Sequence, residues 1–161
     1  MAKYPLEPML RVRIRHEDTA KRAVGQAEQD VAQAESNKLK AIEARDNYKK
    51  WLAEEEERRY QELLKSKVNA EELAEFREGL IQLAQGLLAK EDDILKAEEN
   101  VTACQKKLAE AKNNYFQARR ETLKIEEHKK IWITASNKEA ERISDLEMEE
   151  SVRFSPESSE D

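Results

Sequence analysis

From Leu73 onward, apolar residues recur at alternating steps of three and four: Leu73, Phe76, Leu80, Leu83, Leu87, Lys90, Ile94, Ala97, Val101, Cys104, Leu108, Ala111, Tyr115, Ala118, Thr122, Ile125, Lys129, Trp132, Ser136, Glu139, Ile143 and Leu146. Seventeen of these twenty-two positions are apolar, which sustains a coiled-coil seam over far more than the few heptads needed to recognise one. The first half steps the same way through Leu10, Arg13, Glu17, Ala20, Val24, Ala27, Val31, Ala34, Lys38, Ala41, Arg45, Tyr48 and Leu52. Its apolar members are mostly small, so this helix needs a partner with larger side chains. Between the halves, Lys65-Ser66-Lys67-Val68-Asn69 breaks the pattern, and Asn69 followed by Glu72 has the spacing of an N-cap with a carboxylate three residues on. The pattern predicts helix one over about 8 to 65, a turn at 66 to 69, and helix two over about 70 to 150. At about 1.5 Å per residue the arms would differ by about 30 Å.

Folding at that turn pairs residues whose numbers sum to about 135, and this sum carries every seam position of helix one onto a seam position of helix two. Ala41 then meets Ile94, Ala34 meets Val101 and Ala27 meets Leu108, small against large as close packing requires. The expected fold class is all-α: two long helices in an intramolecular antiparallel coiled-coil hairpin, one domain over 1 to 150, the second helix longer. Two layers break the seam. Arg45 faces Lys90, where local fraying is expected, and Arg13 faces Thr122. From about Ile133 to Glu150 helix two outruns its partner, leaving Ile143 and Leu146 uncovered.

Composition narrows the alternatives. There is no proline between Pro8 and Pro156, only three glycines, and 40% of residues are charged, which suits long helices and cannot fill a rounded core. A fully disordered chain would have no need of the helical spacing. The net charge of −6 disfavours nucleic acid, whose phosphates need a basic face. Charge is uneven, however: residues 1 to 22 carry six cations against three acids, and residues 139 to 161 two cations against nine acids. Residues 151 to 161 read as a disordered acidic tail. A single cysteine, Cys104, forms no internal disulfide, and no secretory leader or stretch of 18 apolar residues is present, so a cytoplasmic location without membrane insertion is expected.

No catalytic constellation, cofactor motif or metal-ligand spacing emerges, so the chain is expected not to be an enzyme. His16 and His128 lie too far apart for a metal pair and read as solvated helix surface. Glu54 to Glu57 with Arg58 and Arg59 read as a solvated face laced by helix ion pairs. Tyr48, Phe76, Tyr115 and Trp132 lie on the seam as core residues, whereas Trp51 and Tyr60 sit at or beyond its margin, where an exposed aromatic on a helix is a candidate contact residue.

Two short patches carry more information. Tyr4-Pro5-Leu6-Glu7-Pro8-Met9-Leu10, followed by a charged helix, a mid-chain turn and His128-Lys129-Lys130-Ile131-Trp132, resembles the YscO/CdsO family, the small stalk proteins of bacterial type III secretion injectisomes. The resemblance implies a cytoplasmic two-helix protein similar to the flagellar FliJ and to the central shaft of rotary ATPases. It further implies that the end carrying both termini engages the hexameric secretion ATPase, that the turn end faces the cytoplasmic ring of the export gate, and that export chaperones are possible further partners.

The register adds that the two patches form one surface, with Arg11, Arg13, Arg15, Lys129 and Lys130 around it. The residues expected to meet the ATPase are therefore Tyr4, Pro5, Leu6, Leu10, Arg11, Arg13, Arg15, Lys129, Lys130 and Trp132. Trp51, Tyr60 and Phe76 are candidates for the gate, and Ile143 and Leu146 for a chaperone or other partner. Two rival readings stay open: a coiled-coil escort that binds export chaperones through the overhang, and a structural homodimer in which Ile143 and Leu146 pair with a second copy.

Overall fold

The computed structural model describes residues 2 to 154. Two helices make an all-α helical hairpin: α1, Glu7–Lys65, of 59 residues, and α2, Ala70–Arg153, of 84. Glu7 puts an acid in the first turn of α1 and Lys65 a base in its last, each complementing the helix dipole. The linker is Ser66 to Asn69, and Asn69 caps α2 as its spacing predicts. Its side-chain oxygen accepts from the Glu72 amide at 2.8 Å, and its carbonyl accepts from Leu73 at 3.1 Å. Residues 151 to 153 complete the last turn of α2, while residues 155 to 161 of the expected acidic tail lie outside the described residues.

Burial follows the seam. All thirteen seam positions of α1 from Leu10 to Leu52 are buried or half-buried, and so are all of those in α2 from Phe76 to Ser136. Among the described seam residues, Leu10, Ala27, Ala34, Leu83 and Ile94 are the buried apolar ones. With so few fully buried side chains, stability rests on a thin, continuous stripe of packing, to which each well-buried leucine or isoleucine contributes about 1.5 to 3 kcal/mol.

The chain packs as two compact units, Met1–Arg22 with Lys112–Asp161, and Ala23–Ala111. In the second, Lys38 lies 4.0 Å from Glu98, and Tyr60 stacks edge-on against Phe76 with ring centroids 5.2 Å apart. Both pairs have numbers summing to within one of the expected 135. Tyr48 reaches across to donate to the Leu83 carbonyl at 2.8 Å. That reach depends on Gly86, where an added Cβ would fall 2.2 Å from the Tyr48 hydroxyl oxygen. Arg45 and Lys90 are both half-buried in unbroken helix, and Arg45 turns to Asp46 at 3.0 Å.

In the unit that holds the termini, the polar layer at Arg13 is resolved rather than splayed. Thr122 is the most buried side chain, 1% exposed, and its hydroxyl donates to the carbonyls of Ala118, at 3.0 Å, and Arg13, at 3.3 Å. The Arg13 guanidinium leaves the seam to pair with Glu121.

Candidate functional site

The N-terminal segment reaches the surface of α2 through a bend at Pro5 and Leu6, ahead of the first turn of α1, where Pro8 occupies a position that needs no amide donor. Tyr4 is folded down onto α2 and is 7% exposed. Its hydroxyl shares a 2.6 Å hydrogen bond with His128 Nδ1, and its ring stands edge-on to Trp132 at 5.4 Å. Leu10, 6% exposed, closes the first full turn of the seam below it. The two sequence patches that the register brings level thus meet through side-chain contacts.

The charges around this contact divide into two groups. Lys129 lies 2.8 Å from Glu7 as an ion pair without hydrogen-bond alignment, Arg13 is paired to Glu121, and Arg119 donates to Glu17 at 2.9 Å. The last pair holds the Arg119 guanidinium above its ordinary pKa, because its charged form donates a hydrogen bond to the Glu17 carboxylate. Arg11, Arg15 and Lys130 are exposed, and among the described residues no carboxylate lies within ion-pair distance of them. The basic group expected from the sequence is therefore present with part of its charge neutralised at Arg13 and Lys129.

Between the N-terminal segment and α2 runs an open groove of about 820 Å³. Tyr4, Pro5, Pro8 and Trp132 give it apolar walls, Lys3 and Arg11 line it with cations, and Ala140 lies on the helix as it leaves the covered region. Leu6, Met9 and Ile133 stand partly exposed. A concave apolar surface with a few convergent charges is suited to docking a protein segment. Among the described residues no set of His, Cys, Asp or Glu side chains is grouped to hold a metal ion, and no helix is long and apolar enough to cross a membrane.

His128 and Glu7 are the residues that the sequence reading undervalued. His128 is exposed, as its place in the sequence predicts, and it also holds the Tyr4 hydroxyl; Glu7 lies in the recognised patch, yet its pairing with Lys129 cannot be read from spacing along either helix alone. The exposed part of α2 begins at Asn137, four residues beyond expectation, because half-buried Trp132 and Ser136 share the groove with the segment that precedes α1. Ile143 and Leu146 are each 45% exposed.

The three residues proposed for the turn half do not form one cluster. Trp51, 45% exposed, stacks on Tyr48 at 5.4 Å, whereas Tyr60, 47% exposed, pairs with Phe76.

Comparison with known proteins converges on one family. A search of curated proteins returns no match. Among solved structures, the chain is similar to a YscO homolog from Chlamydia trachomatis, CT670, at 25% identity and a TM-score of 0.75, covering 96% of this chain and 94% of that one. It is similar in fold to the type III secretion protein YscO from Vibrio parahaemolyticus, at 23% identity and a TM-score of 0.84, covering 90% of this chain and 91% of that one. The family model for type III secretion protein YscO matches residues 6–153, which include both helices in full, and the chain belongs to the YscO family of type III secretion proteins.

Proposed function

We propose that this protein is a non-enzymatic stalk of a bacterial type III secretion system, acting in the cytoplasm to couple the hexameric secretion ATPase to the export gate ring. The observation that carries the reading is the joint surface of Tyr4, Leu10, His128 and Trp132, which builds a shaped groove from two segments more than a hundred residues apart. Packing of Tyr4 alone would not require exposed Leu6 or the exposed cations Arg11, Arg15 and Lys130 beside it. In this reading Tyr4, Pro5 and Leu10 set the shape of the surface, Leu6 and Trp132 supply apolar contact, and Arg11, Arg15 and Lys130 supply charge, with Arg13 and Lys129 holding the local frame. Rim charges of this kind speed and orient association more than they add affinity.

At the turn half, exposed Trp51 and the Tyr60–Phe76 pair are the proposed contacts to the gate. The mechanism is mechanical: contacts between one asymmetric protein and six ATPase subunits favour hexamer assembly, and the stalk passes the state of the hexamer to the gate. A chaperone-escort activity is the second reading, favoured by the exposure of Ile143 and Leu146.

The test is hexamer formation by the cognate ATPase, followed by light scattering as the protein is added. Wild type should promote assembly, and deletion of residues 1 to 10 should abolish that effect while the remaining helices stay folded by circular dichroism. An undiminished effect after the deletion would overturn the assignment of this surface.

A further inference from the structure

The groove has one wall that belongs to neither helix. Residues 2 to 6 precede α1 and lie as a strap on α2, yet Ala2, Lys3, Pro5 and Leu6 are exposed and only Tyr4 is buried. The strap is therefore tethered through a single buried side chain. The Tyr4 ring rests edge-on against Trp132, and its hydroxyl has His128 Nδ1 as its partner at 2.6 Å. A hydroxyl on a buried ring costs stability when it is left without a partner, so the bond to His128 biases the strap toward its docked position. His128 is itself exposed, so its imidazole is not there to fill a core. The first turns of α1 do not depend on this bond, being held by Leu10 in the seam and by the pairing of Glu7 with Lys129.

We propose that Tyr4 and His128 form a clasp, with His128 as its positioning residue, and that the groove accepts an occupant only while the clasp is closed. Lys3, Tyr4 and Pro5 line the groove from the strap, and Trp132, Ile133 and Ala140 line it from α2. An occupant that touches both sides binds the docked strap more tightly than the open one, and so draws the clasp closed as it binds. Opening the clasp lowers the apparent affinity in proportion to the fraction of closed molecules. His128 acts here through Tyr4 and needs no contact with the occupant. That the occupant is the secretion ATPase rests on the function proposed above; the clasp itself does not.

Asparagine and glutamine at position 128 separate this role from mere bulk, because Asn carries its amide where Nδ1 stands and Gln carries it one bond further out, nearer Nε2. In the free protein, trypsin cleavage between Lys3 and Tyr4, followed by mass spectrometry, reports the open fraction. His128→Ala should speed that cleavage about fivefold, His128→Asn should return it to within about twofold of wild type, and His128→Gln should not. Binding of the cognate ATPase, measured by calorimetry, should weaken about fivefold in His128→Ala and in Tyr4→Phe, and no further in the double variant. Equal cleavage of wild type and His128→Ala, or equal rescue by Asn and Gln, would overturn the clasp. Unchanged ATPase binding in variants that are cleaved faster would overturn its link to the groove. Additive losses in the double variant would make His128 a direct contact and overturn its positioning role. If wild type binds no ATPase, the ATPase reading fails and the cleavage series alone decides the clasp. Circular dichroism verifies that each variant keeps the hairpin's helical signal.

Discussion

Two of the three glycines, Gly25 and Gly86, separate intrinsic helix preference from packing at the level of single residues. Gly25 has open space where a Cβ would go, so Gly25→Ala should stabilise the protein by about 1 kcal/mol, the usual gain in a helix interior. Gly86→Ala receives the same gain but drives Tyr48 off the Leu83 carbonyl and away from Trp51, losing a hydrogen bond of about 1 kcal/mol and an aromatic contact of about 0.5 to 1.5 kcal/mol. Denaturant unfolding should therefore show opposite signs for the two substitutions, and Tyr48→Phe should remove much of the penalty at Gly86. Thr122 teaches a related lesson. Read as a polar break in the seam, it proves to be the best-buried side chain, because a hydroxyl bonded to carbonyls above and across can be enclosed without leaving its donor unsatisfied. Sequence marks the position of such a residue in the seam; only three-dimensional structure shows whether its proton has somewhere to go.

Within each helix, the regular parts were legible and the partner choices were not. The caps, the linker and the buried stripe follow from spacing, since a seam sustained over so many heptads leaves little freedom of register. Which acid meets which base is set by side-chain reach: Arg58 bonds Glu55 at 2.5 Å and Glu62 at 2.7 Å, while Arg59 bonds Glu55 at 3.0 Å. Hydrogen bonds from these two guanidinium groups lower the Glu55 carboxyl from its ordinary value to about 2. A carboxyl depressed in the folded state stabilises the fold above its unfolded pKa and loses that contribution as pH falls toward the folded value. The difference in melting temperature between wild type and Glu55→Gln should accordingly stay constant above about pH 5 and shrink as pH falls from there toward 2. From Asn137 on, every described residue of α2 is exposed, and a helix of that length is marginal alone. Amides of Ile143 to Glu150 should exchange at least about tenfold faster than those of Val101 to Thr122, in native-state hydrogen exchange.

For the molecule as a whole, the distribution of chemistry matters more than the fold, which many charged hairpins share. Cations concentrate in the first 22 residues and acids beyond residue 139, so the unit holding both termini presents a basic groove and an acidic apolar strip as separate surfaces. The seam register placed the two recognisable patches level with each other before any contact was seen. The groove between them was not legible, because it arises from how Tyr4 and Pro5 turn the chain onto α2, and the neutralisation of Lys129 by Glu7 likewise needed the folded arrangement. The stalk account rests on that groove and the exposed cations Arg11, Arg15 and Lys130 near it. Its most direct test is the steady-state activity of the cognate secretion ATPase, titrated at several salt concentrations with wild type and with the R11E/R15E double variant. The account predicts that wild type raises activity in a salt-sensitive manner and that the folded double variant fails to do so; equal stimulation by both would contradict it.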